Sequence, residues 1–244
     1  MIEASVVLVT GAGRRIGAAI ARELHGAGWN VALHVRRSRK EAETLAASLE
    51  AVRAGSALVL AGDLLDPADV ERVANEARAC WGRLDALVNN ASSYRATPMG
   101  TLNAEGIDEL VGSNLRAPLL LTQACARSGS LRAVVNILDV GARRPRRGYS
   151  AYGAAKAGLW AATEALALEL APQVRVNGVA PGHMLWAEDS SMSAAEKLAE
   201  LARVPLQRLG GALEIARAVK FLLSDQAGYI TGAVLPVDGG LGLV

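Results

Sequence analysis

The chain has few of the residues that mark a metal site, a disulfide scaffold or a membrane anchor. Its 244 residues include two cysteines, Cys80 and Cys125, and three scattered histidines, His25, His34 and His183. Neither set has metal-ligand or paired spacing, so no metal is expected. Two lone thiols fit a reduced, cytoplasmic setting better than a disulfide framework. No apolar run reaches the roughly 20 residues that span a bilayer. The opening stretch, Met1 to Thr10, has no basic region before its short apolar run, and predicts a first strand rather than a signal peptide. A formal net charge of +2 excludes the strong basic field that would imply a nucleic-acid or membrane partner. Aromatic residues make up 4%, with a single Phe, so the core must come from Ala, Val, Leu and Ile.

Those residues are arranged periodically. Short apolar runs at 6–9, 31–35, 57–60, 84–88, 133–138, 174–179 and 233–237 read as strands. Between them lie helical patterns at 15–27, 39–53, 67–80, 104–126, 152–170, 193–202 and 213–223. Asp66-Pro67 supplies a cap and a first-turn proline for the third strand-to-helix crossing. Continuous apolar strands alternating with helices predict a parallel sheet buried on both faces. With no linker, repeat or low-complexity tract, residues 1–244 are read as one α/β, Rossmann-type doubly wound domain.

Chemistry concentrates between Asp139 and Lys156. Tyr152 and Lys156 are four residues apart, which puts both on one face of a helix. An ammonium beside a phenol favours the phenolate, so Lys156 is expected to lower the Tyr152 pKa and fit it for proton transfer. The same spacing also arises by chance in many helices. Asp139 ends the apolar run before this helix, where it either joins the site or caps the following turn.

A second centre lies at the first crossing. Thr10-Gly11-Ala12-Gly13-Arg14-Arg15-Ile16-Gly17 follows the first strand and opens the first helix. Glycines there let backbone approach a pyrophosphate at a helix N-terminus; the alternative is a tight turn with no ligand. The second strand ends in His34-Val35-Arg36-Arg37-Ser38, with no acid for a ribose 2′-hydroxyl. Guanidinium forks match a 2′-phosphate, so Arg36 and Arg37, with Arg14 in reach, predict NADPH over NADH. Asp63-Leu64 after the third strand and Asn89-Asn90-Ala91-Ser92 after the fourth either line the adenosine half or satisfy their own turns.

Taken together, Thr10–Gly17, Asn89-Asn90-Ala91, Asn114, Tyr152-x-x-x-Lys156, Pro181-Gly182 and Val237-Asp238-Gly239-Gly240 resemble the short-chain dehydrogenase/reductases along the whole chain. The resemblance implies a seven-stranded parallel sheet, hydride transfer with nicotinamide, and a homotetramer. It makes Tyr152 the general acid/base. Lys156 would bind the nicotinamide ribose, and Asn114 would hold a water that links Lys156 to solvent. Gly11, Arg14, Arg15, Ile16, Arg36, Arg37, Ser38, Asp63, Leu64, Asn90, Ala91, Pro181 and Gly182, with Tyr152 and Lys156, would line the cofactor.

Two positions depart from the family pattern: Asp139 stands where a Ser is usual, and Arg15 where a Gly is usual. Both departures occur in the pteridine reductase branch. That branch is also resembled by Arg14–Gly17, Leu33–Ser38, Asn90–Tyr94, Asn136–Asp139 and Pro181–Trp186. This implies a pterin-like substrate contacted by Arg15, Ser92, Tyr94, Asp139 and Tyr152. Tyr94 is otherwise an exposed loop aromatic. Two other readings stay open: a carbonyl or 3-oxoacyl reductase of the same family, and an inert NADP-binding sensor or scaffold. Arg143-Arg144-Pro145-Arg146-Arg147 either attracts an anionic substrate tail or forms a solvated or subunit-contact loop. His183, Met184, Trp186 and Glu188 fall where the family places a mobile substrate lid.

Overall fold

The computed structural model describes residues 4–186 and 192–244. Seven strands form one parallel sheet: β1 (Val6–Thr10), β2 (Asn30–Val35), β3 (Ala57–Ala61), β4 (Ala86–Asn89), β5 (Ala133–Ile137), β6 (Arg175–Pro181) and β7 (Val234–Val237). Their order is β3-β2-β1-β4-β5-β6-β7. The chain winds outward from β1 to one edge, returns, and winds from β4 to the other. The reversal leaves a crevice between the C-terminal ends of β1 and β4, where open α/β sheets bind ligands.

Strand alternation assigns the two cores. Val7 and Val9 of β1 face a layer of α1 (Arg15–Gly26), α2 (Arg39–Glu50) and α8 (Ala212–Leu223). Val6 and Leu8 face α3 (Pro67–Trp81), α5 (Ala117–Ala126) and the C-terminal part of α6 (Ser150–Glu169). All four are fully buried. At about 25 cal/mol per Å² of apolar surface, two-sided burial of strands like these is the main stabilising contribution to the fold. α4 (Ala104–Val111) precedes α5, and α7 (Ala194–Ala202) precedes α8.

The helical stretch expected over 104–126 is divided. α4 ends at Val111, a π-helical turn covers Gly112–Arg116, and α5 resumes at Ala117. Pro118 has no N–H to offer the Asn114 carbonyl, so the regular ladder cannot run through unchanged. A 3₁₀ turn, Val140–Ala142, also intervenes between β5 and α6. Asp66 caps α3 as expected, accepting from the Ala68 N–H at 2.9 Å, with Gly82 left-handed at the far end (φ 72°).

His34, near the end of β2, is 2% exposed and packs on the α3 side of the sheet. Its Nε2 lies 3.1 Å from the Gly62 carbonyl, while Nδ1 has no partner among the described residues. Burial lowers its pKa to about 4; Asp69 and Asp63 pull it up and Arg72 pulls it down. A histidine whose folded pKa is depressed stabilises fully above its unfolded pKa of 6.5 and loses that contribution as pH falls towards 4. Between pH 7 and 5 the loss is about 2 kcal/mol. Urea unfolding of wild type and His34→Gln at both values is expected to show this loss in wild type and a flatter dependence in the variant. Identical slopes would refute the assignment.

Candidate active site

The end of β5 and the first turns of α6 bring Asp139, Tyr152 and Lys156 together. The Tyr152 hydroxyl donates to Asp139 Oδ2 at 2.8 Å. Asp139 Oδ1 accepts from the Gly141 N–H at 2.6 Å, capping the 3₁₀ turn. Asp139 thus meets Tyr152 through one oxygen and caps the following turn through the other, and the cap fixes the carboxylate's direction. Lys156 is 3% exposed and donates to the Ile137 carbonyl, at the end of β5, at 2.8 Å.

The expected acidification of Tyr152 is not what this arrangement does. Burial and then the adjacent Asp139 carboxylate push the phenol above its ordinary value. Lys156 shares its helix face, but its Nζ is 6.0 Å from the ring centroid and turned to the β5 carbonyl. Burial lowers the Lys156 pKa to about 8, against an opposing pull from Asp139. Tyr152 is thus held protonated, a donor awaiting an acceptor more basic than the carboxylate it now contacts.

Asn114 sits inside the π turn and is fully buried. Its Nδ2 donates to the Leu110 carbonyl at 3.0 Å and the Ser93 carbonyl at 2.9 Å, and its Oδ1 accepts from Ser92 Oγ at 2.7 Å. It therefore ties the loop after β4 to the helix kink. Two residues on, the Tyr94 ring stacks on Tyr149 (4.9 Å between centroids, 19° between planes) and meets Tyr152 edge-on (4.9 Å, 84°). Arg146 donates to the Tyr94 hydroxyl at 3.1 Å and lies over the Tyr149 ring. Tyr94 is 53% exposed but not solitary; its ring covers one side of the Tyr152 ring. The sequence points to Arg146 only as part of the basic loop and does not single out Tyr149. The available signal was the i, i+3 spacing of Tyr149 to Tyr152.

The crevice at β1 and β4 is built for close backbone approach. Thr10 Oγ1 accepts from the Asn90 and Ala91 N–H groups, both at 2.9 Å, and Asn90 Nδ2 donates to the Thr10 carbonyl at 2.8 Å. Asn90 thus holds the glycine loop, and does not merely follow β4. A Cβ at Gly17 would collide with the Gly11 carbonyl, and one at Gly13 with Ser38. Arg15 adopts φ 52° where glycine is the unstrained choice, which accounts for the glycine usual there. Its guanidinium donates twice to the Trp186 carbonyl, at 3.2 Å, so the strained residue joins the loop to the segment after β6. Exposed Arg14, Arg36 and Arg37 rim this crevice. Asp63 lies 3.7 Å from Arg36, and Gly182, following Pro181, packs against Asp238. A glycine loop without room for side chains and a basic rim suit a phosphorylated dinucleotide.

The basic loop has internal partners. Arg143 covers Trp160 at 4.1 Å, Arg144 donates to the Val244 carbonyl, and Arg146 holds Tyr94. His183 is 3.3 Å from Glu200, Met184 is buried in the core, and Trp186 lies beneath Lys197. Glu188 lies outside the described residues. A cavity of about 510 Å³ opens beside Met184, Leu206, Glu214 and Leu235, and is lined by none of Asp139, Tyr152 or Lys156.

Comparison with known proteins agrees with this geometry. Residues 11–242 match the family model described as Enoyl-(Acyl carrier protein) reductase. The chain is 38% identical to pteridine reductase 1 of Leishmania tarentolae, over 98% of this chain and 97% of the relative. It is 37% identical to the 3-oxoacyl-[acyl-carrier-protein] reductase FabG of Escherichia coli strain K12, over 99% of each. The same-named protein of Staphylococcus aureus strain Mu50 is 34% identical, over 96% of each. With its sheet order, glycine loop and Tyr152–Lys156 helix, this protein belongs to the short-chain dehydrogenase/reductase family, and is a nicotinamide-dependent oxidoreductase.

Proposed function

We propose that the protein is an NADPH-dependent pteridine reductase acting on a pterin or 7,8-dihydropterin such as dihydromonapterin, dihydrobiopterin or a dihydrofolate-like compound. The observation that carries this reading is the 2.8 Å hydrogen bond from Tyr152 to Asp139. Reduction of a carbonyl builds negative charge on oxygen, which a neighbouring carboxylate opposes. Reduction of a ring C=N instead requires a proton on nitrogen, and a phenol backed by a carboxylate suits that delivery. The 38% identity to a pteridine reductase supports the reading, while the 37% identity to FabG keeps a 3-oxoacyl reductase as the competitor to be tested.

When bound, NADPH supplies the hydride to a ring carbon. Tyr152 or a water gives a proton to the adjacent ring nitrogen, and Tyr152 regains its own from water, directly or relayed by the Asp139 carboxylate. Lys156 is buried with its ammonium at the end of β5, from where it would bind the nicotinamide ribose. Asn114 holds a water between Lys156 and solvent. The pterin ring lies against Tyr94, with Ser92 and Arg15 at its polar edge. Arg14, Arg36, Arg37 and Ser38 take the 2′-phosphate, while Asp63 and Leu64 meet the adenine. Gly11, Ile16, Asn90, Ala91, Pro181 and Gly182 shape the remaining cofactor surface. The enzyme works in the cytoplasm as a homotetramer. Support for assembly comes from the edge strand β7, where Leu235 is 39% exposed, and from Leu168 on α6, which is 83% exposed.

Tyr152→Phe is expected to lower kcat by about 100-fold or more while NADPH binding stays within about twofold. Parallel loss of binding would make Tyr152 structural. NADPH should bind at least about tenfold more tightly than NADH, and Arg37→Ala should narrow the gap. Equal affinities would remove the 2′-phosphate assignment. NADPH oxidation measured with a dihydropterin, a 3-oxoacyl thioester and a diketone should proceed with the dihydropterin. Turnover of the other two alone would replace this reading with the carbonyl reductase one, and turnover of none would favour an inert NADP-binding protein.

A further inference from the structure

The turn after β3 is held at three consecutive backbone positions by residues that do not reach the crevice themselves. Arg72 Nη2 donates to the Ala61 carbonyl at 2.7 Å. His34 Nε2 contacts the Gly62 carbonyl at 3.1 Å. The Asp63 N–H donates to Asp69 Oδ2 at 2.7 Å. Asp69 and Arg72 are joined by a 2.5 Å ion pair within α3, so two of the three anchors form one unit. A Cβ on Gly62 would stand 3.0 Å from Arg72 Nη2 and 3.2 Å from Asp69 Oδ2, so the unit presses directly on the turn.

His34 completes the support from the sheet. The Gly62 carbonyl can only accept, so Nε2 carries the ring proton and Nδ1 is a buried acceptor without a donor among the described residues. An apolar residue would leave no such group in a strand whose other buried positions are Val, Ala and Leu. What the imidazole provides in return is the direction of the Gly62 peptide. The peptide next along carries Asp63, whose Oδ1 accepts from the Leu65 N–H at 3.1 Å and lies 3.7 Å from Arg36. Backbone anchors, the Asx turn and the arginine together hold the carboxylate beside the end of β2.

We propose that Asp69, Arg72 and His34 are positioning residues for the adenosine half of the cofactor, acting through Asp63. The proposal rests on the reading that Asp63 meets the adenine. None of the three takes part in hydride or proton transfer. Their removal loosens one half of the dinucleotide site and leaves the nicotinamide half as it was.

The test uses the full chain and three probes: NADPH, 2′,5′-ADP for the adenosine half, and reduced nicotinamide mononucleotide for the other. Asp69→Ala and Arg72→Ala are expected to raise Kd for NADPH and 2′,5′-ADP by about tenfold, with the mononucleotide unchanged. Asp69→Asn, which keeps an acceptor for the Asp63 N–H, should recover most of the loss. Asp63→Ala is measured alongside. If it leaves 2′,5′-ADP binding unaltered, the adenine reading of Asp63 fails and the proposal falls with it. If Asp63→Ala weakens binding but Asp69→Ala and Arg72→Ala do not, the positioning role alone is overturned. Equal weakening of all three probes by Asp69→Ala would show a global defect and likewise overturn it.

Discussion

The hydrogen bond between the Tyr152 phenol and the Asp139 carboxylate is the constraint around which the rest of this crevice is arranged. It joins the end of β5 to the first turn of α6, across a 3₁₀ turn that the same carboxylate caps. Because burial and the nearby negative charge both favour the neutral phenol, the resting site stores a proton on Tyr152. A serine in place of Asp139 would offer a hydroxyl to a carbonyl oxygen and no charge. The carboxylate instead sets a negative charge against the phenol.

The surrounding elements keep that pair in place and bring a ligand to it. The π turn at Gly112–Arg116 aims Asn114 at the loop after β4, and that loop presents Tyr94 to Tyr152. At the other end of the crevice, Asn90 and Thr10 lock the glycine loop, while His34, Asp69 and Arg72 lock the turn after β3. Each of these turns is short and held by buried or charge-assisted bonds. This is how a loop site acquires the precision of the sheet that carries it.

Much of this was legible from residue order. Continuous apolar runs identified all seven strands, because a strand covered on both faces has no polar side to hide it. Asp66-Pro67 marked the start of α3 through chemistry local to that turn. Glycine spacing located the cofactor crevice, since positive φ and close packing exclude other residues there. Less was legible where distant groups compete. Tyr152-x-x-x-Lys156 suggested an acidified phenol, but helical spacing does not say which charge stands nearer the hydroxyl. Nor did the five-residue basic loop reveal that Arg143, Arg144 and Arg146 have partners on α6, at the C-terminus and at Tyr94.

By itself the sequence determined the parallel sheet, the order of its helices, the position of the glycine loop and the helix face shared by Tyr152 and Lys156. All of these follow from periodicities and turn chemistry that act over a few residues. Only the tertiary structure decided that Asp139 turns one oxygen to Tyr152, that Lys156 turns to Ile137, that Tyr94 stacks on Tyr149, and that α3 anchors the turn before Asp63. The physical reason is that hydrogen-bond partners and pKa shifts depend on distances through space, and these are set when strands and helices far apart in the chain pack into one crevice.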